Sequence, residues 1–222
     1  MSADDGSGVL PEMVMSRLYA AVVSDILDDL GCRDHTLDPA IRPLGHGEVI
    51  AGLANPFLVS EVHQVPADSY AGEIGALDDI RPGEVILVAA GGSARAACWG
   101  ELFSTAARVR GARGTLVDGY CRDARNIAAL GYPVWCRGTL PLDCKGRTAV
   151  TAWRQPAVVG GLRVRPGDLV VADDDGVVIV PAELADETIG RALAKASKER
   201  GLRDALEAGS TLRAAYDRFG VL

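Results

Sequence analysis

The side chains best suited to chemistry in this sequence cluster between residues 99 and 133, where Glu101, Asp118, Arg122 and Asp123 fall close together among glycines. An arginine directly followed by an aspartate, Arg122-Asp123, pairs two complementary functions. The guanidinium fork binds a carboxylate or an enolate through parallel hydrogen bonds, and the carboxylate offers a hard oxygen to Mg²⁺ or Mn²⁺. Cys121 adjoins this pair, but no histidine lies near it in sequence, so it reads as a buried thiol, not a nucleophile.

The elements that must position these groups follow from the flanking residues. Leu102, Phe103, Ala106, Ala107 and Val109 fall at helical spacing and Gly111 supplies a stop, which predicts a helix starting near Gly100. Thr115-Leu-Val is too short for a helix and is bounded by glycines. It reads as a buried strand whose carboxyl end delivers Asp118, Gly119, Arg122 and Asp123 to a crevice of the kind where α/β folds bind ligands. The unpaired amides of residues 101–103 at the start of the helix would face the same crevice and help to hold an anion.

The composition narrows the classes of function. With 222 residues the chain suffices for one sizeable core, so residues 1–10 are expected to form a flexible tail and residues 11–222 a single domain. A formal charge of −7 and the lack of a dense basic cluster argue against nucleic acid as a partner. The five cysteines form no C-x-x-C pair and are not grouped with the three histidines as a zinc site requires. No secretory signal and no apolar run of membrane-spanning length is visible, so a cytoplasmic protein with no membrane partner is expected.

Elsewhere the patterning predicts a helix from Pro11 with Ser24-Asp25 capping a second short one, and strands over 48–54 and 57–65. A short helix falls within 68–79, and further strands over 134–136, 148–153, 157–159, 163–164, 169–172 and 177–180. Arg81-Pro-Gly-Glu84 and Arg165-Pro-Gly-Asp168 each introduce an apolar run, an internal echo that suggests two strands entering the core alike. Gly91-Gly92 reads as a tight turn or as a close approach of backbone to a ligand. Asp173-Asp-Asp-Gly176 lacks the spacing of a calcium loop and reads as a solvated turn. After Pro181 a long helix carries Ile189, Leu193 and Ala196 on one face and Glu199 on a charged part, and residues 211–219 add a short amphipathic helix.

Taken together, Trp99-Gly-Glu-Leu-Phe, Gly114-Thr-Leu-Val-Asp-Gly-Tyr-Cys-Arg-Asp and Leu130-Gly-Tyr-Pro-Val-Trp-Cys-Arg-Gly resemble the RraA-like family. That family includes the 4-hydroxy-4-methyl-2-oxoglutarate/4-carboxy-4-hydroxy-2-oxoadipate aldolases and regulators of ribonuclease E activity. The likeness extends to Ala21-Val-Val-Ser-Asp25 and Asp173-Asp-Asp-Gly-Val-Val-Ile-Val-Pro181. It implies an α/β fold of the swivelling β/β/α type with terminal helices, assembled as a trimer or hexamer with a divalent-metal site between subunits. It also implies that the backbone of Gly100, Glu101, Leu102 and Phe103 binds pyruvate together with Arg122, and that Asp123 holds Mg²⁺ or Mn²⁺. The family commonly carries an acid three residues after Asp123, where this chain has Asn126, whose neutral amide supplies no charge and accepts no proton.

The expectation is therefore a metal-dependent lyase that cleaves a 4-hydroxy-2-oxo acid to pyruvate and a second carbonyl compound, with oxaloacetate decarboxylation as a related activity. Arg122 and Asp123 would be central to it, with Glu101, or Glu199 of a neighbouring subunit, assisting proton removal. The alternative is a non-catalytic binding protein of the ribonuclease E inhibitor type.

Overall fold

Short apolar runs bounded by Gly and Pro turns, interleaved with helical segments, generate a curled sheet with its loops gathered at the strand ends. The computed structural model describes residues 12–15, 17–46, 48–65 and 67–222, so the tail expected at 1–10 and the helix start expected at Pro11 lie outside the described residues. Helices Glu12–Met15 (α1) and Ala20–Asp29 (α2) precede strands Arg42–Pro43 (β1) and Ile50–Glu61 (β2). Then follow Ala71–Asp78 (α3), Glu84–Ala89 (β3), Ala97–Trp99 (β4), Glu101–Val109 (α4), Gly114–Cys121 (β5), Ala124–Leu130 (α5) and Val134–Thr139 (β6). The last third supplies strands Thr148–Trp153 (β7), Ala157–Val159 (β8), Leu162–Val164 (β9), Leu169–Ala172 (β10) and Val177–Val180 (β11). A 3-10 turn at Ala182–Leu184 leads into helices Ala185–Glu207 (α6) and Leu212–Phe219 (α7).

Among the described residues the main sheet runs β1-β6-β5-β3-β2-β10-β11, with β4 added to β5 and β7 added to β2. Its centre, β2-β3-β5-β6, is parallel, and β1, β7, β10 and β11 are antiparallel. One core packs α3, α4 and α5 on one face through Leu77, Ala107 and Ile127. A second lies beneath the β8–β9 hairpin, where Val159 and Val164 meet Leu87, Leu116 and Trp135. A third joins α2 and α6 to β10 and β11. The sheet, the hairpin layer and the helical layer make up the β/β/α arrangement.

Several expectations from the sequence are revised. The strands expected over 48–54 and 57–65 are one strand, β2, which passes through Pro56. Its free edge is shared by β10, pairing residues 50–53, and β7, pairing residues 57–61. Pro56 stands at the gap between these pairings, where its carbonyl accepts from the Arg154 amide and its missing N–H breaks no ladder there. Ser24-Asp25 lie inside α2 and cap nothing. A distant carboxylate does that work instead, since the Ala20 amide donates to Asp173 Oδ2 at 2.7 Å. Asp173 is thus buried and hydrogen-bonded, while Asp174 and Asp175 remain exposed in the turn.

The internal echo proves to be one turn used twice. The Arg81 amide donates to Glu84 Oε2 at 2.9 Å, and the Arg165 amide to Asp168 Oδ2 at 2.7 Å. Gly83 and Gly167, at φ of 85° and 88°, occupy the left-handed position that the turn requires. The strands that follow, β3 and β10, flank β2 on opposite sides.

Candidate active site

Strands β4 and β5 end side by side, and the loops beyond them build the cleft. The Arg122 amide donates to the Trp99 carbonyl at 2.9 Å, which places Arg122 and Asp123 against Gly100, the residue preceding α4. A Cβ on Gly100 would lie 3.0 Å from Asp123 Oδ2 and 3.2 Å from Arg122 Cγ, so the approach of both side chains to the helix start depends on glycine. The resulting cleft has a volume of about 290 Å³. Tyr70, Trp99, Leu102, Phe103, Arg122, Asp123 and Asp143 are among its lining residues.

Asp123 adopts φ 60° and ψ 31°, a left-handed conformation that aspartate tolerates better than most residues. Its contacts with Glu101 N at 3.4 Å and Arg122 Nε at 3.5 Å both fall on Oδ2, which leaves Oδ1 for another partner. The first amide of α4 is therefore turned towards Asp123. Those of Leu102 and Phe103 lie in the first turn, where no helical carbonyl is available to them. Glu101 is half-buried, and its carboxylate accepts the Thr105 hydroxyl at 2.8 Å.

Two residues of the cleft escaped the reading of the sequence. Asp143, in the loop after β6, receives Arg122 Nη1 at 3.1 Å on Oδ1 and the Tyr70 hydroxyl at 2.7 Å on Oδ2. Burial works against the Asp143 carboxylate, but donation from Tyr70 and the Arg122 charge hold it below the usual carboxylate range. The same hydrogen bond, with burial, pushes Tyr70 up to about 12, so it stays a neutral donor.

The supports of this chain of contacts are specific. Tyr70 precedes α3 at φ 95°, in the left-handed region. Helix α3 is seated on β7 by Gly72, where a Cβ would lie only 1.8 Å from the Val150 carbonyl oxygen, and by the buried Glu73, which accepts the Val150 amide at 3.1 Å. The Asp143 loop is pinned through the Leu142 carbonyl, which accepts the Ala97 amide at 3.0 Å, and through Arg147 Nη1, which donates to the Asp143 carbonyl at 3.0 Å. Among the described residues Tyr70, Asp123 and Arg154 alone combine a non-glycine side chain with positive φ, and two of these three line the cleft. Such conformations cost on the order of 1–3 kcal/mol each and concentrate at sites that need fixed geometry.

Asp118 does not join them. Along β5 alternate residues face opposite sides of the sheet, and Asp118 points with Leu116 towards the hairpin layer. There its carboxylate accepts Arg137 Nε at 2.6 Å and the Gly160 amide at 2.9 Å. It is a buried structural anion. Gly92 forms a tight turn whose amide donates to the Asp118 carbonyl, apart from the cleft. Glu199 also lies elsewhere in this chain. It accepts the Tyr19 hydroxyl and neighbours Lys195, and burial raises its carboxyl above the usual range. Asn126 is exposed on α5.

The buried thiols are shifted by burial and by one another, Cys136 downward through its hydrogen bond with Cys121 and the others upward. A hydrogen bond with Cys136, then burial, pushes Cys121 up, and burial foremost takes Cys144 to about 12. Among the described residues no three His, Cys, Asp or Glu side chains gather as a metal cluster. The donor set fits a hard ion that takes one carboxylate and otherwise water and ligand oxygens, which is how Mg²⁺ and Mn²⁺ are commonly held, and it does not fit a closed zinc site.

A curled, centrally parallel sheet with helices on one face and a β-hairpin on the other, and with its cleft at the strand ends, defines the swivelling β/β/α class. The chain belongs to the RraA-like family, described as Aldolase/RraA, whose pattern matches residues 20–179. A relative from Halalkalibacterium halodurans, named "Putative 4-hydroxy-4-methyl-2-oxoglutarate aldolase", is 32% identical over 186 residues, covering 82% of this chain and 83% of that protein. Protein DlpA of Legionella pneumophila is 28% identical over 96% of this chain, which spans only 34% of DlpA's length. Among solved structures, Streptomyces coelicolor RraAS2 superposes with a TM-score of 0.79 at 31% identity, covering 92% of this chain and all of that one. It is described as an unusual member of the RNase ES inhibitor RraA protein family. Among the described residues no helix is long and apolar enough to cross a membrane.

Proposed function

We propose that this protein is a divalent-metal-dependent lyase of the class II pyruvate aldolase type, working as a trimer or hexamer on a small 2-oxo acid. The observation that carries this reading is the meeting of Arg122, Asp123 and the first turn of α4 at Gly100, in a cleft of small-molecule size. In the cleavage the 4-hydroxyl of a 4-hydroxy-2-oxo acid gives up its proton and the C3–C4 bond breaks. The electron pair of that bond passes through C3 to the C2 oxygen as an enolate, and C4 becomes a carbonyl. Protonation of C3 then yields pyruvate. Oxaloacetate decarboxylation generates the same enolate with loss of CO₂, which is why the two activities belong together.

Arg122 holds the substrate carboxylate by its planar fork, and the amides of Leu102 and Phe103 face the oxygen on which negative charge develops. Asp143 and Tyr70 keep the guanidinium from swinging away. Held through Asp123, Mg²⁺ or Mn²⁺ would supply Lewis acidity at the 2-oxo group. The proton acceptor is Glu101, or Glu199 contributed by a neighbouring subunit, since within one chain Glu199 is committed to Tyr19. Asn126 adds no charge, so the acid–base work falls on these glutamates.

The test is pyruvate release from 4-hydroxy-4-methyl-2-oxoglutarate and from oxaloacetate, corrected for the uncatalysed rates. Activity should require Mg²⁺ or Mn²⁺, vanish in EDTA, return on metal addition, and be absent from Asp123→Ala at unchanged melting temperature. Full turnover in chelator would refute the metal dependence. A second reading, a non-catalytic binding protein, is favoured by the 31% identity to RraAS2. It predicts no metal-dependent pyruvate from any 2-oxo acid.

A further inference from the structure

Three lining residues of the cleft are charged: Arg122, Asp123 and Asp143. Arg122 is the one cation among them, and it already touches both carboxylates. The lining thus carries one net negative charge. A divalent cation would turn it to one net positive charge, which a single substrate carboxylate neutralises. A second carboxylate would have to enter a site already neutralised, with no further cation among these lining residues to meet it. The neighbouring Lys145 and Arg147 are not among the lining residues, and Arg147 is turned onto the Asp143 carbonyl.

The wall beyond the charged end has the opposite character. Ile74 of α3 and Leu102 of α4 line the cleft while 54% and 72% exposed. Phe103 packs edge-on against the buried Trp99 at 5.7 Å between ring centroids, so the inner wall is aromatic. Trp99 spends its indole N–H on Ser104 Oγ at 2.8 Å, which leaves the ring system no polar handle for a ligand. Apolar side chains left in water around a polar centre are a common mark of a ligand site.

We infer that this wall is an apolar subsite for the group on C4, so that the preferred substrate is a monocarboxylic 4-hydroxy-2-oxo acid bearing a short alkyl or aryl substituent. Cleavage then yields pyruvate and an uncharged aldehyde or ketone, by the same bond changes as above. The inference rests on the lyase reading. Its consequence is a discrimination that the charged end alone would not make, because burying a carboxylate against Ile74 and Leu102 without a cation is unfavourable.

Two pairs of compounds test it in the presence of Mg²⁺. For turnover, 4-hydroxy-2-oxohexanoate is compared with 4-hydroxy-2-oxoglutarate, and the first should show at least about tenfold higher kcat/KM. For binding without chemistry, 2-oxohexanoate is compared with 2-oxoglutarate by calorimetry, and the same order should appear. Ile74→Arg should narrow both ratios about tenfold or more, with Leu102→Arg as a parallel variant if the first does not fold. Equal or reversed ratios in the native protein would overturn the inference while leaving the lyase reading intact. Absence of turnover with every substrate would remove the lyase reading, and the calorimetric order would still decide the character of the wall. A change of assembly mass in ultracentrifugation caused by Ile74→Arg would make the wall a subunit interface and overturn the subsite.

Discussion

Replacing Gly100 by alanine isolates the geometric claim on which the site rests. Gly100 has φ −160° and ψ −175°, an extended conformation open to any residue, so the substitution adds no backbone strain. The new methyl group would meet Asp123 Oδ2 at 3.0 Å, Arg122 Cγ at 3.2 Å and Arg122 Nε at 3.5 Å. Contacts of 3.0–3.4 Å oblige the neighbours to give by a few tenths of an ångström. Here the atoms that must give are the carboxylate and the guanidinium stem themselves. If a misplacement of about 1 Å costs roughly 10²-fold, a few tenths cost roughly threefold to tenfold in kcat/KM. Steady-state pyruvate release measures this, alongside calorimetric binding of oxalate, a planar analogue of the pyruvate enolate, which should weaken by a similar factor. The melting temperature should barely move, because the atoms nearest the new methyl group belong to the flexible Arg122 and Asp123 side chains and not to backbone. Unchanged activity and oxalate affinity at unchanged stability would show that the close approach of Arg122 and Asp123 to α4 does no functional work.

Two further outcomes follow from the same geometry. Arg122→Lys should lower kcat/KM by about 10²-fold or more, since an ammonium cannot reproduce the fork, whereas a rise in KM alone at constant kcat would demote Arg122 to a uniform binder. Asp143→Asn should bring a tyrosine that titrates near 12 back towards the ordinary value of about 10, read by ultraviolet absorbance against pH. The native protein should also lose stability relative to this variant at both pH extremes. The lowered carboxyl of Asp143 contributes stability above about pH 4, lost as pH falls through its folded value. The raised phenol of Tyr70 contributes below about pH 10, lost as pH climbs towards 12. Identical titration and pH–stability curves would refute the Tyr70–Asp143–Arg122 chain of contacts.

Much of the architecture was legible because local pattern and tertiary fate coincide in most strands. Thr148–Trp153, Leu169–Ala172 and Val177–Val180 are short β-rich runs bounded by turn residues, and they appear with the expected bounds. The errors arise where a long-range contact replaces a local signal. Asp173 caps α2 from 153 residues away, a role invisible in a sequence where Ser24-Asp25 look like a better cap. Pro56 lies inside a strand because two different partners meet there, a fact of topology and not of propensity. Helix α4 is the instructive case for periodicity. Leu102 and Val109, seven residues apart, share one face of the helix and are more than 70% exposed, while Ala107 on the other side is buried. Spacing registers apolarity and says nothing of whether protein, ligand or water lies opposite.

The legible part of the site is the part whose residues are neighbours in the chain. Arg122-Asp123 and Gly100-Glu101 announce themselves by adjacency, and β4 pairing with β5 brings the two short stretches together. Tyr70 and Asp143 are 73 residues apart, in loops on opposite sides of the central stretch, and neither carries a local pattern that sets it apart from ordinary loop residues. Only the seating of α3 by Gly72 on β7 and the pinning of the loop after β6 bring them into one hydrogen bond. Asp118 shows the converse, since it is adjacent in sequence but on the wrong face. The one-residue alternation of β5 sends it to Arg137 under the hairpin, while the turn after Cys121 releases Arg122 and Asp123 into the cleft. A carboxylate inside the strand is therefore locked into stability, and the one just beyond its end is free to meet a ligand.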